Sequence, residues 1–371
     1  MKKALKVISY VLPILVVLVL GFVGIRYFDE IRTLISVKLV EGTNLYTMEY
    51  FSDYHFEDFL KTGATDNNEY YDYVNSLMEG QINIGIRSNA ADNACSAFTF
   101  RDKDGSRYMA RNYDYTANPV MLLVTSPDDA YKSISAVNMN CMGYNNELTP
   151  KNFDLKTFAA PYFPTDGVNE KGISISMLQV NFSRKQKEEG KSTLSAYAVI
   201  RLVLDYADSI DKAVELINEY NIYFDSSMMA HFFIADSNGS SALIEFVDGN
   251  MHVVKNEESY QVASNFNNME ERFDAEGYVY SRQYQEWLKN ATTSAYDSEY
   301  SPYIRYDYIL DSLYNHSGIM TVDESFEILE NTASPEKLQY SVVYNLNTLE
   351  ATIITDNDWE KKTTVALSHR D

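Results

Sequence analysis

Residues 95–115 read Cys95-Ser96-Ala97-Phe98-Thr99-Phe100-Arg101-Asp102-Lys103-Asp104-Gly105-Ser106-Arg107-Tyr108-Met109-Ala110-Arg111-Asn112-Tyr113-Asp114-Tyr115. Small and apolar side chains alternate from Ser96 to Phe100, Asp102-Lys103-Asp104-Gly105 has the composition of a turn, and an extended pattern resumes at Arg107. The stretch predicts a β-hairpin whose first strand opens on a cysteine. The small, polar residues just before it, 88–94, read as an exposed loop. A lone cysteine at a strand start is ordinarily a small buried hydrophobe. Here the returning strand brings Arg111 and Asp114 beside it, a cation that favours thiolate over thiol and a carboxylate that can orient an amine.

Outward from the hairpin, periodicity supplies the frame. Asp166-Gly167 and Lys171-Gly172 punctuate the approach to a β-type run over 173–180. Ser192 opens a helical stretch reaching 207, in which Leu194, Ala198 and Leu202 separate from Arg201 and Asp205. A second helix from Ser209 or Asp211 to Tyr220 has Ala213, Leu216 and Ile217 as its buried stripe. Strands over 231–236, 241–247 and 251–255 are joined by Asn238-Gly239 and Asp248-Gly249, dipeptides that favour type I′ turns, and make an antiparallel meander. A helix around 305–313, another opened by Thr321 with Glu324 as its capping box, and a hairpin over 339–355 close the chain. Antiparallel groups with helices gathered between them predict an α+β fold, with residues 95–371 as one domain.

The chain carries 31 Lys and Arg against 53 Asp and Glu, a formal net charge of -22. Binding a phosphate backbone needs concentrated cations, so nucleic acid is not a partner. Cys95 and Cys141 are too few for a disulfide framework, which leaves one free for chemistry; Cys141 reads as a bystander thiol. No phosphate-cradling glycine loop, His-Glu-x-x-His, paired Cys-x-x-Cys or Gly-x-Ser-x-Gly elbow occurs. The five histidines, His55, His231, His252, His316 and His369, are scattered, and His231 and His252 read as ordinary sheet residues.

Residues 7–25 hold no charge and lie between Lys2, Lys3 and Lys6 on one side and Arg26 on the other. The run is long enough to cross a bilayer and lacks an Ala-x-Ala cleavage site, so it predicts a single uncleaved transmembrane helix with the bulk of the chain outside the cell membrane. A secreted form after cleavage is the alternative. Residues 1–27 are then tail and anchor, and 28–94 a propeptide or linker with a helix over 69–78.

Five blocks carry a family resemblance. They are Cys95 to Phe100 with Asp104-Gly105 and Ala110-Arg111-Asn112-Tyr113-Asp114-Tyr115; Asp166-Gly167-Val168-Asn169-Glu170-Lys171-Gly172-Ile173; Val262-Ala263-Ser264-Asn265; residues 301–306 around Arg305; and Gln339-Tyr340-Ser341-Val342-Val343-Tyr344. In this order the chain resembles the linear amide C-N hydrolases, which include choloylglycine (bile salt) hydrolases and penicillin V acylases. The resemblance implies a four-layer αββα N-terminal-nucleophile hydrolase sandwich, with no metal or organic cofactor. It implies Cys95 as nucleophile with its own α-amine as base, Arg111 holding the thiolate, and Asp114 orienting the amine. Asn265 would donate to the oxyanion, and Arg305 would support the cluster. Where bile salt hydrolases carry an asparagine and penicillin V acylases a tyrosine, ungapped counting lands on Gln179, with Asn181-Phe182 two residues on; Gln179 keeps an amide donor for the oxyanion. The implied substrate is a small acylated amide, and the mechanism requires cleavage at Ala94-Cys95. Tyr113, Tyr115 and Tyr144 are candidates for an apolar acyl site. The sequence leaves open a homo-oligomer. Rival readings are a membrane-tethered, non-catalytic binding protein on the same fold and a papain-like cysteine peptidase using one of the histidines.

Overall fold

The hairpin that opens the sequence reading forms with eight residues in each arm, Ala94–Arg101 and Arg107–Asp114, paired from Ala94↔Asp114 to Arg101↔Arg107. The structure is a computed structural model, and it describes residues 24–78, 82–85, 94–116, 118–151, 153–180, 183–224, 229–256, 258–267 and 301–367. Along the chain the strands are β1 (Lys38–Leu39), β2 (Leu45–Tyr50), β3 (Ala94–Arg101), β4 (Arg107–Asp114), β5 (Val120–Thr125), β6 (Ser133–Asn138), β7 (Pro164–Asn169) and β8 (Ile173–Gln179). There follow the short pair β9 (Thr193–Leu194) and β10 (Asn221–Ile222), then β11 (Ala230–Asp236), β12 (Ser241–Val247), β13 (Asn250–Lys255), β14 (Val262–Ser264), β15 (Leu338–Asn345), β16 (Glu350–Thr355) and β17 (Thr363–Ala366). The helices are α1 (Phe28–Ser36), α2 (Phe56–Thr62), α3 (Asn67–Ser76), α4 (Ala196–Tyr206), α5 (Ile210–Glu219), α6 (Pro302–Asn315) and α7 (Val322–Thr332).

One sheet has nine strands in the order β1-β2-β5-β6-β7-β8-β11-β12-β13, and the other six, in the order β14-β3-β4-β15-β16-β17. Side chains alternate across each strand, so every strand has two destinations. From the hairpin, Cys95, Ala97, Met109 and Tyr113 join Leu122, Ile134, Val168, Leu178 and Phe233 in a core between the two sheets. Phe98, Phe100 and Ala110 turn the other way and pack on Ile309 and Leu313 of α6 and Phe326 and Leu329 of α7. The outer face of the larger sheet, with Ile175, Phe232 and Ile244, is covered by α4 and α5 through Val199, Val203, Ala213 and Ile217. The result is a helix–sheet–sheet–helix stack of the α+β class.

Several local expectations hold and some shift. Thr321 and Glu324 form the capping box that starts α7. The helix expected from Ser192 begins at Ala196, because Ser195 caps it by accepting from the Ala198 N–H while Thr193 and Leu194 pair with β10. Of the two turns expected to be type I′, Asp248-Gly249 has both φ values positive, at 52° and 83°. At Asn238-Gly239 only the glycine does, because Asp236 Oδ1 accepts the N–H groups of both Asn238 and Ser240 and sets a different turn.

The segment before Cys95 is more than a linker with one helix. β2 pairs in parallel with β5 over all six residues, and Phe56, Phe59, Tyr70, Tyr71 and Val74 are buried in the helix-side core. Among the described residues no helix is long and apolar enough to cross a membrane. The run over 7–25 and the loop at 88–94 lie outside the described residues, apart from Gly24, Ile25 and Ala94.

Phe59 is fully buried, with the rings of Tyr70 and Tyr73 at 5.3 and 5.0 Å. Phe59→Ala removes an aromatic side chain from a filled site and is expected to destabilise the protein by about 3–5 kcal/mol, read as a lower midpoint in chemical denaturation. A midpoint equal to that of the parent chain would show that this segment does not contribute to the fold's stability.

Candidate active site

Cys95 sits where backbone pairing along one edge of β3 gives out. β14 pairs with β3 through Val262↔Phe98, Ala263↔Ala97 and Ser264↔Ser96, and the next residue, Asn265, continues the ladder with its side chain. The Cys95 N–H donates to Asn265 Oδ1. The same oxygen accepts from Arg305 Nη2 at 2.8 Å, while Arg305 Nη1 donates to the Cys95 carbonyl oxygen at 2.6 Å. Arg305 lies in the first turn of α6, whose start is fixed by Pro302. Asn265 Nδ2 donates to the main-chain carbonyl of Gln179 at 2.7 Å, which ties the end of β8 to the cluster.

On the neighbouring strand the register is Cys95↔Tyr113 and Ala97↔Arg111, so Arg111 and Tyr113 share the inter-sheet face with Cys95. Arg111 Nη2 lies 3.9 Å from Cys95 Sγ. The rest of the guanidinium is tied down: Nη1 donates to the Thr165 carbonyl at 2.6 Å and to Asp166 Oδ2 at 2.5 Å, and Nη2 to the Met177 carbonyl. The Tyr113 ring centroid is 4.8 Å from its central carbon. Burial alone would lower the pKa of Arg111, but Tyr340, Asp166 and Cys95 around it hold it above its ordinary value, so it is a fixed cation. For Arg305 burial wins and its pKa falls, with Asp114 and Cys95 pulling the other way; a guanidinium remains charged nonetheless.

Asp114 takes the opposite face of β4, and the expected contact with the Cys95 nitrogen is not made in the continuous chain. That nitrogen is an amide already satisfied by Asn265. Asp114 Oδ1 accepts from the Ser334 N–H at 3.1 Å, and Oδ2 is buried with no hydrogen-bond partner. Burial pushes this carboxyl up to about 7, against the lowering influence of Arg305 and the Ser334 N–H. Arg111 and Asp114 are therefore not a surface ion pair; both are fully buried, and the partner of Arg111 is Asp166.

Of the six expected residues, Cys95, Asn265 and Arg305 form one hydrogen-bonded group, and Arg111 approaches it through the sulfur. Gln179 joins by its main chain, its side-chain Oε1 being buried without a partner, and Asp114 stands opposite Ala94 in the ladder. Asn181 and Phe182 lie outside the described residues. Tyr113 and Tyr115 belong to the core that holds Cys95, whereas Tyr144 packs on the helix side of the larger sheet and cannot join them. Sequence reasoning gave no role to Asp166, Tyr340 or Tyr344, although all three fall inside the quoted blocks. The signal was an aspartate at the start of a turn-like stretch and two tyrosines four apart on one strand, which share a face.

None of the described histidines hydrogen-bonds Cys95. His55 pairs with Asp53, His231 Nδ1 lies 3.1 Å from Glu245 Oε1, and His316 Nδ1 meets the Ser312 carbonyl; His252 is on the edge strand β13, and His369 lies outside the described residues. The cysteine–histidine pair that a papain-like peptidase requires is not present among the described residues.

The pattern of the linear amide C-N hydrolases, choloylglycine hydrolase family, matches residues 95–295, more than half of the 371. The chain belongs to this family. It is 26% identical over 192 residues to the penicillin V acylase of Pectobacterium atrosepticum, covering 48% of this chain and 50% of that protein, so it matches about half the length of this relative. A mutant of the conjugated bile acid hydrolase from Clostridium perfringens is similar in structure, with a TM-score of 0.51 at 16% identity over 74% of this chain and 92% of that one. The penicillin V acylase of Agrobacterium tumefaciens gives a TM-score of 0.49 at 16% identity, covering 70% of this chain and 83% of the other. The fold is thus of the N-terminal-nucleophile hydrolase kind, and the family's chemistry is amide hydrolysis.

The raised pKa of Asp114 makes a signed prediction. A carboxyl whose folded value, about 7, exceeds its ordinary 3.8 binds its proton more tightly when folded, so its contribution is complete below the lower value and is lost as pH rises through the upper one. In a Cys95→Ala chain, which lacks the sulfur, Asp114 should lose stability relative to Asp114→Asn between about pH 4 and pH 7 and run parallel to it above. Parallel stability curves over the whole range would mean that Asp114 is not desolvated as described.

Proposed function

We propose that the protein hydrolyses a non-peptide linear carbon–nitrogen amide with Cys95 as nucleophile, after the Ala94–Cys95 bond has been broken. The observation that carries this reading is that the nitrogen, carbonyl oxygen and sulfur of Cys95 are each approached by a different polar side chain: Asn265, Arg305 and Arg111. A silent structural cysteine has no use for such an arrangement. In this reading the thiol first adds to the Ala94 carbonyl, the carbon–nitrogen bond breaks to leave a thioester, and water hydrolyses it. Cys95 then carries a free α-amine with a pKa near ~8. As an ammonium that amine would be a donor for the buried Asp114 Oδ2, which has no hydrogen-bond partner in the continuous chain.

In turnover the amine accepts the thiol proton, the thiolate beside Arg111 attacks the substrate carbonyl, and the tetrahedral oxyanion forms. Asn265 Nδ2 gives one hydrogen to the Gln179 carbonyl and keeps a second for that oxyanion, with the Gln179 side-chain amide as a further donor. The proton passes to the departing amine, and water then releases the acyl group from sulfur. The substrates that fit are N-acyl amino acids, conjugated bile acids, acylated homoserine lactones or a penicillin side chain, with Tyr113 and Tyr115 offering apolar surface to the acyl part. Residues 7–25 would hold the domain at the outer face of the cell membrane. The segment before Cys95 would stay in place after cleavage through β2 and the buried aromatics of α2 and α3.

Mass spectrometry of the purified protein should find a fragment beginning at Cys95, which co-elutes with the preceding fragment under native conditions and separates from it in denaturant. Cys95→Ala should leave the chain intact and abolish amine release from a panel of acylated substrates, and Asn265→Ala should lower kcat by about 10²–10³. Amine release by an intact chain, or by Cys95→Ala, would sink the proposal and return the field to the binding-protein reading or another nucleophile.

A further inference from the structure

Asp166, Tyr340 and Tyr344 take no part in the steps above, yet all three are fully buried against Arg111. Val342 is the partner of Arg111 across the β4–β15 ladder, and the two tyrosines flank it on the same strand. Both rings therefore project from the face that carries the guanidinium, into the gap where β7 brings Asp166. The Tyr344 hydroxyl donates to Asp166 Oδ1 and the Tyr340 hydroxyl to Oδ2, which also takes Arg111 Nη1 at 2.5 Å. The Tyr340 hydroxyl is 2.6 Å from Thr165 Oγ1, which reaches the Ala136 carbonyl at 3.1 Å. A bare carboxylate against a guanidinium forms a closed ion pair whose field at a third atom largely cancels. Here two hydroxyls also donate to the carboxylate, one on each oxygen, while the Thr165 and Met177 carbonyls fix the guanidinium plane. Nη2 is left turned toward Cys95 Sγ at 3.9 Å.

We infer that Asp166, Tyr340 and Tyr344 are positioning residues that set the ionisation of Cys95, by holding Arg111 in one orientation and leaving its charge to act on the sulfur. The inference deepens the reading of Cys95 as nucleophile and rests on it. It fixes two opposite signs. Asp166→Asn keeps the shape of the group and removes its negative charge, so the thiol becomes more acidic. Tyr344→Phe takes a donor from Asp166 Oδ1 and concentrates charge on the carboxylate, so the thiol becomes less acidic. Loss of structure alone produces no such opposed pair.

The measurement is the pH dependence of Cys95 alkylation by iodoacetamide in the full-length protein, resolved from Cys141 by peptide mass spectrometry. The midpoint should fall in Asp166→Asn and rise in Tyr344→Phe by about half a unit to one unit, roughly three- to tenfold in rate below the midpoint. With an amide substrate, kcat of Tyr344→Phe should drop on the acid side of the profile with KM unchanged. Unchanged midpoints, or shifts of one sign in both variants, overturn the inference. Should Asp166→Asn fail to fold, Tyr340→Phe and Tyr344→Phe lose one oxygen each and carry the test: both raise the midpoint if the inference holds, and neither does if it fails. Alkylation is read whether or not any amide is hydrolysed, so shifted midpoints without amine release would refute the hydrolase reading alone.

Discussion

The hold on Cys95 is the interaction around which the rest of the molecule is arranged. Its amide is taken by Asn265, its carbonyl by Arg305 and its sulfur by Arg111, and these three residues come from the turn after β14, the first turn of α6 and the middle of β4. None of them is close to another in sequence. The group exists only when the six-stranded sheet is paired on both sides of β3 and α6 is packed against it through Ile309 and Leu313. Packing of the outer layer thus places a charge on the main chain of a residue whose side chain faces inward.

Burial decides the electrostatics of this site. In a chain of net charge -22 the acidic excess is carried elsewhere, while Arg111, Arg201 and Arg305 are among the largest fully buried side chains. A buried cation is tolerated only with partners. Arg201 has Asp205 at 2.9 Å, itself bonded by the Tyr54 hydroxyl, which repeats on the helix side of the larger sheet the arginine–aspartate–tyrosine grouping seen around Asp166. The difference lies in where Nη2 is directed. Arg201 spends Nη2 on the Ser133 hydroxyl at 2.6 Å, whereas Arg111 directs one N–H toward a sulfur. Residue types alone do not separate a structural from a chemical arginine; the atoms around the guanidinium do.

The hairpin, the meander and the terminal elements were legible because they announce themselves locally: alternation in β3, Gly-containing turns between β11, β12 and β13, and a capping box at Thr321. β5 was not, since Val-Met-Leu-Leu-Val-Thr is apolar throughout and a strand buried on both faces shows no period-two signal. β7 was hidden for another reason. Pro164-Thr165-Asp166-Gly167 is poor strand sequence, but Pro164 occupies the first position, where its missing N–H costs little, and Gly167 passes so close to β6 that an added Cβ would lie 2.5 Å from the Ile134 carbonyl. The same crowding brings Asp166 under Arg111. The positions of Cys95, Arg111, Asn265 and Arg305 could be read from ordered blocks, and the three-residue spacing from Arg111 already puts Asp114 on the opposite face of β4, whereas the clamp on Arg111 depends on register between strands distant in sequence.

That register also bears on when the site is made. The chain lays down β2 in the larger sheet, crosses through α2 and α3 to β3 and β4 in the smaller one, and returns to place β5 parallel to β2. A break between Ala94 and Cys95 therefore falls between two pieces that share a sheet, not between a domain and an appendage. The side chains that hold Cys95 come from positions 111, 265 and 305, so a thiol activated by them acts only after most of the chain has been assembled. Under the proposed mechanism folding precedes cleavage. Under that proposal Asp114 Oδ2, which has no hydrogen-bond partner in the continuous chain, would gain an ammonium donor on cleavage, and processing and activation would be one physical event.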